Sequence, residues 1–244
     1  MSFQNVPGGS GYGSPRDGQT VVVNGQAQVA VQGAFLTQAF FWMFAGLLVT
    51  SAIAAFVQAN DSLLLFAARN ILLLFIGQLA LVAVISWGIN RISATVALGL
   101  FFVYAATLGL TIGLIVTAYT GESVVAAFLS SSAMFGGAAL YGYTTKRSLA
   151  SMGGFLSMGV IGLAVAIVVN IFLASGPLGF IISIVGVVIF TGLTAWDVQR
   201  ISAGNLVQAT GSVEKAAVMG ALHLYLDFIN LFLFLLRIFG GGRR

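Results

Sequence analysis

Seven long apolar stretches make up most of this chain and constrain its fold more than any other feature. They cover residues 35–57, 70–89, 94–117, 123–143, 152–174, 178–200 and 217–238. A helix that spans the hydrocarbon core of a bilayer needs about 20 predominantly apolar residues. Short connections and the lack of apolar–polar alternation favour helices over strands. The sequence therefore predicts an all-α polytopic membrane protein, with a seven-helix transmembrane domain at residues 34–244.

The scarcity of charged residues excludes a soluble globular domain. They make up 7% of the 244 residues, while 59% are hydrophobic; soluble domains carry about 25% charged residues. The basic residues are scattered between the apolar stretches, so we expect no nucleic-acid partner. The chain has no cysteine and one histidine, which excludes disulfides and a multi-histidine metal centre. We expect no cofactor, and the lipid bilayer is the partner that this composition requires.

Residues 1–33 are polar and rich in glycine, and they lack the pattern of a cleavable signal peptide. They are predicted to form a disordered tail. If the tail is cytoplasmic, the outer loops carry one basic residue, Arg69, and the inner segments carry six: Arg16, Arg91, Lys146, Arg147, Arg200 and Lys215. Basic residues concentrate on the cytoplasmic side, so the N-terminus is predicted to be inside. A seventh full span then places Arg243 and Arg244 outside, which leaves a re-entrant last segment as an alternative.

A polar stripe runs along the last apolar stretch. His223, Asp227, Asn230 and Arg237 follow one another at intervals of four, three and seven residues, which puts them within about 80° of one helix face. An ionisable group at membrane depth costs several kcal/mol unless it finds a partner. The stripe is therefore expected to face protein or water.

A second intramembrane carboxylate, Asp197, stands close to Arg200 near the end of the sixth stretch. Arg91 ends the second stretch at the same level. Two buried carboxylates in contact share a proton, because like charges at short distance disfavour double ionisation. The alternative is that the aspartates only form salt bridges or helix caps. No GxGD motif or serine dyad accompanies them, so an enzyme is not indicated.

Two segments resemble the paired signatures of a known family. "TGLTAWDVQRI" at 191–201 and "ALHLYLDFINLFLFLLRIFG" at 221–240 are similar to the motifs of the Bax inhibitor-1 (TMBIM) family, in its bacterial YccA/YetJ-like branch. The resemblance covers about residues 35–240. It implies six helices around a central seventh, and a proton-sharing pair at Asp197 and Asp227. It also implies that Arg91 is the latch that pairs with them.

The resemblance implies a pH-dependent calcium leak in a bacterial inner membrane. Asp197 and Asp227 would then be weak, transient calcium ligands, since calcium prefers six to eight oxygens, with His223, Asn230 and Arg200 in support. The alternatives are a partner of a membrane-embedded FtsH-type protease and a small-solute transporter; no oligomeric state is assigned. With ideal helices, Asp227 would lie deeper than Asp197. A difference in depth would prevent the pair from forming.

Overall fold

The computed structural model of the protein describes residues 25–240, with side chains from residue 35. This part of the chain contains nine helices: α1 Gly25–Gln58, α2 Asp61–Arg69, α3 Ile71–Gly88, α4 Ala94–Val116, α5 Gly121–Thr144, α6 Ala150–Leu173, α7 Gly176–Ser202, α8 Asn205–Thr210 and α9 Val213–Phe239. Seven of these are long and apolar enough to cross a membrane: α1, α3, α4, α5, α6, α7 and α9. The predicted all-α polytopic architecture is confirmed.

Helix α1 begins earlier than the apolar pattern predicted. The sequence analysis assigned residues 1–33 to a disordered tail, whereas α1 starts at Gly25. Its first turns are rich in alanine and glutamine, which favour helices even without a continuous apolar face. The rest of the predicted tail, residues 1–24, lies outside the described residues, and so do Arg243 and Arg244.

Two short helices occupy segments that the sequence analysis treated as connections. Helix α2 begins after Asn60, whose side-chain oxygen accepts hydrogen bonds from the backbone N–H groups of Ser62 and Leu63. This is a standard helix N-cap. Helix α8 is bounded by Gly204 and Gly211, at φ 75° and 65°, a left-handed conformation that glycine adopts without strain. Both helices pack against the ends of membrane-spanning helices.

Helix α9 forms the centre of the bundle. In its most apolar part 78% of the residues are buried, compared with 44% in α7 and 11% in α3. Helices α1, α5 and α7 contact α9 extensively and α4 contacts it less, whereas α3 packs mainly on α4 and α6 on α7. Six spans therefore surround a central seventh, with α1, α5 and α7 as its main neighbours.

Small residues let two helices of this bundle pack closely. A Cβ atom added to Gly109 of α4 would lie 2.9 Å from the carbonyl oxygen of Thr50 in α1, so the two backbones are in close contact. Many large apolar side chains point outward, including Trp87 at 86% and Phe172 at 84% exposure. An apolar exterior of this kind suits contact with lipid.

Candidate functional site: a buried acid pair between α7 and α9

The antiparallel packing of α7 on α9 places both aspartates at one depth. Ile201 of α7 contacts Gly220 of α9, and farther along the rings of Phe190 and Phe234 lie 5.9 Å apart. Asp197 falls between these two levels. Helix α9 begins at Val213 and α8 packs beside it, so the first turns of α9 extend beyond the end of α7. This extension removes the difference in depth that ideal spans implied.

Asp197 lies on the face of α7 that packs against the bundle. Buried residues recur on this face at helical spacing: Phe190, Thr194, Asp197 and Ile201. Thr194 is fully buried, and its hydroxyl donates a hydrogen bond of 2.8 Å to the carbonyl oxygen of Phe190. This bond keeps the Thr194 side chain against its own helix and beside the aspartate one turn later.

The two carboxyl groups meet inside the protein. Asp197 is 6% exposed and Asp227 is 4% exposed. The side chains of Asp197 and Thr194 both lie within hydrogen-bonding range of the Asp227 carboxyl group. Oδ1 of Asp197 and Oδ2 of Asp227 are buried and have no hydrogen-bond partner in the described part of the chain. Because two buried carboxylates in contact repel each other strongly, this arrangement favours one proton held between them.

His223 is the titratable group next to this pair. Its Nδ1 lies 3.5 Å from Oδ1 of Asp197, and the imidazole side chain is 23% exposed. Nδ1 has no hydrogen-bond partner among the described residues. His223 stands one turn before Asp227 on α9, on the side nearer the start of the helix. The imidazole is therefore the polar side chain of α9 that lies closest to Asp197 on this side of the pair.

Comparison with known proteins identifies the family of this chain. A family model described as "Inhibitor of apoptosis-promoting Bax1" matches residues 32–244. This range includes both aspartates and the seven spans predicted from the sequence, which run from residue 35 to residue 238. The chain belongs to the Bax inhibitor-1 family. The family that the two motifs predicted is thus confirmed.

Bacterial members of the Bax inhibitor-1 family align with nearly the whole chain. Inner membrane protein YbhL of Escherichia coli (strain K12) is 43% identical over 215 residues, which are 86% of this chain and 92% of that protein. An uncharacterised protein of Deinococcus radiodurans is 41% identical over 226 residues, 92% of this chain and 97% of its own. Protein YrjE of Lactococcus lactis is 38% identical over 218 residues, which are 86% of this chain and 93% of that protein. Neither these names nor the family description indicates an enzyme.

Arg91, predicted as the latch, does not contact the acid pair. Helix α3 ends at Gly88, so Arg91 falls in the turn that follows, where its N–H donates to the Gly88 carbonyl oxygen at 2.8 Å. Its side chain is exposed, and within residues 25–240 no carboxylate is within ion-pair distance of it. The same turn is held by Lys215 of α9, whose Nζ donates to the Asn90 carbonyl oxygen at 3.4 Å. The sequence analysis counted Lys215 only among the basic residues of the inner side and did not predict its contact with this turn.

Two residues predicted in support of the pair have other partners. The Asn230 side chain donates to the carbonyl oxygen of Leu226 in its own helix, at 2.8 Å. The Arg200 guanidinium lies over the Trp196 ring, 5.2 Å from its centre. Arg200 also lines a cavity of about 290 Å³ together with Lys146 and Arg147. These basic residues therefore gather at one end of the bundle, away from the aspartates.

A polar tether just beyond the pair was missed by the sequence analysis. The Tyr225 hydroxyl of α9 lies 2.6 Å from the Thr50 hydroxyl of α1. The Thr50 hydroxyl also lies 2.9 Å from the Ala105 carbonyl oxygen of α4, so one small network joins three helices. In the sequence, Tyr225 is one of several aromatic residues in an apolar stretch. Neither its position nor its neighbours along the chain indicate which residue its hydroxyl group contacts.

The donor set at the pair does not form a closed metal cage. In the described part of the chain, no group of three or more histidine, cysteine, aspartate or glutamate side chains is arranged to hold a metal ion. Two carboxyl groups offer four oxygens, whereas calcium takes six to eight ligands. Asp197 and Asp227 by themselves therefore offer fewer oxygens than a tightly held calcium ion takes.

Proposed function

We propose that this protein is a pH-dependent leak for cations, calcium among them, in a bacterial inner membrane. One observation carries the proposal: Asp197 and Asp227 are buried and within hydrogen-bonding range of each other, on the two helices that form the most central interface. No lysine or arginine of the described chain forms an ion pair with them. Buried ionisable groups in a membrane domain mark ion pathways and proton-sensing sites more often than structural sites. The inner-membrane location is supported by the name of the relative YbhL.

A change in protonation would alter the fit between α7 and α9. While Asp197 and Asp227 share a proton, their contact is stabilising. Once this proton leaves, two like charges stand in contact in surroundings of low dielectric, where their repulsion is several times stronger than in water. The repulsion favours an arrangement in which the two helices separate at this level and water enters. The pH thereby shifts an equilibrium between two packed states.

Two neighbours adjust this equilibrium. The His223 imidazole, with Nδ1 at 3.5 Å from Oδ1 of Asp197, favours the ionised form of the pair. The Thr194 hydroxyl has a single hydrogen, which it donates to the Phe190 carbonyl oxygen. Ionisation of Asp227 offers this hydrogen a stronger acceptor within range. Both groups therefore stabilise the charged pair and help it to release its proton.

The outer side of the path is an apolar cavity of about 300 Å³ between α1, α4, α5 and α9. Its wall includes Phe228, the residue after Asp227. The Phe228 ring packs edge-on against Phe135, with ring centres 5.6 Å apart, and against Phe128 at 6.0 Å. A cation that moves between the cavity and the pair has to pass this aromatic contact. We infer that the described arrangement is the closed state.

The charge distribution supports a cytoplasmic N-terminus. Lys146, Arg147 and Arg200 line one cavity, and Lys215 bonds to the turn that carries Arg91. With α1 running from inside to outside, these residues fall on the cytoplasmic side, as the positive-inside rule requires. Among residues 25–240, the basic residues at the opposite end of the bundle are Arg69 and Arg237.

The test is calcium flux into proteoliposomes that contain an indicator dye, measured from about pH 6 to 8. Wild-type protein is expected to leak calcium at a rate that depends on pH. Asp227→Asn keeps the size of the side chain and removes its titration, so its flux should no longer follow pH. Asp61→Asn is the matched control, because Asp61 is exposed at the start of α2.

A result in which neither wild type nor Asp227→Asn passes calcium contradicts the proposal. The hypothesis of an FtsH-type protease partner would then be the next to examine, by deletion of residues 1–30. A leak should survive this deletion, while a function that depends on recognition of the tail should not.

A further inference from the structure

Arg237 belongs to the polar stripe of α9 but lies far from the acid pair. It stands in the last turn of α9, and its guanidinium lies directly against Gly179 in the first turn of α7. A Cβ atom at Gly179 would overlap this guanidinium, so the glycine provides the space that Arg237 occupies. No carboxylate of the described chain forms an ion pair with Arg237. A cation is thus held at a defined place without a protein anion beside it.

The guanidinium of Arg237 forms one wall of a cavity of about 340 Å³ at the outer ends of α6, α7 and α9. Sites for small ligands have volumes of about 300–1,000 Å³. Polar and apolar residues line it together: Asn170, Ser175, Gly176 and Arg237 on the polar side, and Ile167, Ile171, Ala174 and Ile182 on the apolar side. A ligand here meets hydrogen-bonding groups at one end and hydrocarbon at the other.

Asn170 is the strongest sign that something binds in this cavity. The residue is only 8% exposed, yet it lines the cavity. Its side-chain oxygen Oδ1 is buried and has no hydrogen-bond partner among the described residues. Buried amide groups are almost always satisfied, because an unpaired one is costly. The oxygen therefore calls for a donor that enters from the cavity.

The other polar groups of the cavity are donors. The Ser175 oxygen accepts a hydrogen bond from the backbone N–H of Leu178 at 3.3 Å, so its own hydrogen is free to point into the cavity. Gly176 begins α7, where backbone N–H groups lack partners within the helix. With the Arg237 guanidinium, these groups make a site for the oxygens of a phosphate.

We propose that this cavity binds the headgroup of a phospholipid that carries both a phosphate and a hydrogen-bond donor. The phosphate lies against Arg237, Ser175 and the start of α7, and the ammonium of an ethanolamine or a hydroxyl of a glycerol headgroup donates to Asn170 Oδ1. A lipid fits better than a free phosphate, because the cavity opens beside an apolar surface of α6 that would face the bilayer. Ile171 there is 70% exposed, and it offers a path for an acyl chain.

The test measures lipid retention by the purified full-length protein with native mass spectrometry. The probes are phosphatidylethanolamine, phosphatidylglycerol, phosphatidylcholine and inorganic phosphate. We expect one tightly held molecule of the first or the second lipid. Phosphatidylcholine should bind more weakly, because its quaternary ammonium has no N–H to donate. Inorganic phosphate should not displace the bound lipid.

The variants separate the two halves of the site. Arg237→Gln is expected to weaken the binding of every phospholipid about tenfold or more, since a charge-assisted hydrogen bond is lost. Asn170→Leu should abolish the preference over phosphatidylcholine and leave phosphatidylcholine binding unchanged. Arg69→Gln, at the other basic residue of this end, should change nothing. Gly179→Ala retains the arginine and displaces its guanidinium, and should resemble Arg237→Gln even if that variant folds poorly.

Three results would overturn the proposal. One is equal retention of all three lipids by wild type, because Asn170 would then not select lipids whose headgroup donates a hydrogen bond. Another is unchanged retention in both Arg237→Gln and Gly179→Ala. The third is displacement of the lipid by inorganic phosphate at equal affinity, which would make the cavity a site for free anions.

Discussion

The two ends of the α7–α9 interface carry opposite charge under different degrees of burial. At the inner end, Asp197 and Asp227 are almost completely buried and form no ion pair with a lysine or arginine of the described chain; His223 is the basic residue beside them. At the outer end, Arg237 is exposed and lies against Gly179. A long arginine side chain near a helix end keeps its charge by reaching the interface. A short aspartate at membrane depth cannot, so its charge has to be shared with a proton. On our two proposals, depth makes one end a sensor and the other a binding site.

The largest effect should come from the inner end. Asp197→Asn and Asp227→Asn should each abolish the pH dependence of calcium flux, which for one proton reaches about tenfold per pH unit at most. The double variant should differ little from either single variant, because both act on one shared proton. Arg237→Gln at the outer end should retain the wild-type pH profile. Additive effects of the two asparagine substitutions would separate the aspartates into independent groups and break the comparison.

A smaller effect is expected from the histidine beside the pair. His223→Gln removes the ring nitrogen that lies 3.5 Å from Oδ1 of Asp197, so the ionised pair should lose a neighbour that stabilises it. The midpoint of the flux profile should then move upward by about half to one pH unit, at unchanged steepness. The same flux assay measures it. A downward shift would show that His223 does not stabilise the ionised pair.

A still smaller shift should follow from Thr194→Val, which has nearly the same shape and lacks the hydroxyl. Loss of a neutral hydrogen-bond donor to ionised Asp227 should move the midpoint upward by a few tenths of a pH unit, since a neutral bond contributes less than a full charge. Thr191→Val, one turn away on α7, is the matched control. A shift larger than that of His223→Gln would show that Thr194 stabilises the ionised pair more than His223 does.

The least effect on the pH profile is expected from Tyr225→Phe. This variant removes the hydroxyl that bonds to Thr50 and leaves the acid pair intact. Hydrogen bonds between membrane helices contribute about 0.6–2 kcal/mol, so the melting temperature in detergent should fall by a few degrees. The flux midpoint should remain in place. A displaced midpoint would show that the tether and the pair form one network.

The sequence predicted those features that follow from composition and local pattern. The seven spans follow from apolar runs of sufficient length. The placement of Asp197 and Asp227 was predicted through their motifs, even though ideal helices would have put them at different depths. The extension of α9 past the end of α7 was not foreseen, because the charged residues at its start resemble a loop.

Features that depend on contacts between distant helices could not be read from the sequence. Whether Arg91 reaches the aspartates depends on where α3 ends, and a shift of a few residues decides it. The contact between Thr50 and Tyr225 joins positions 175 residues apart. Asn170 stands in an apolar stretch without any motif, and only its unpaired oxygen shows that it matters. Each of these features depends on how helices that are distant in the sequence pack against one another.

The most direct test of the acid pair is infrared difference spectroscopy of its shared proton. Protein in lipid is titrated across neutral pH, and spectra of the wild type are compared with those of the Asp197→Asn and Asp227→Asn double variant. The wild type should show the C=O stretch of a protonated carboxyl group near neutral pH, and this signal should fade as the pH rises. The double variant should lack it. If the wild type shows no protonated carboxyl at neutral pH, or if the double variant shows the same signal, Asp197 and Asp227 do not hold the proton.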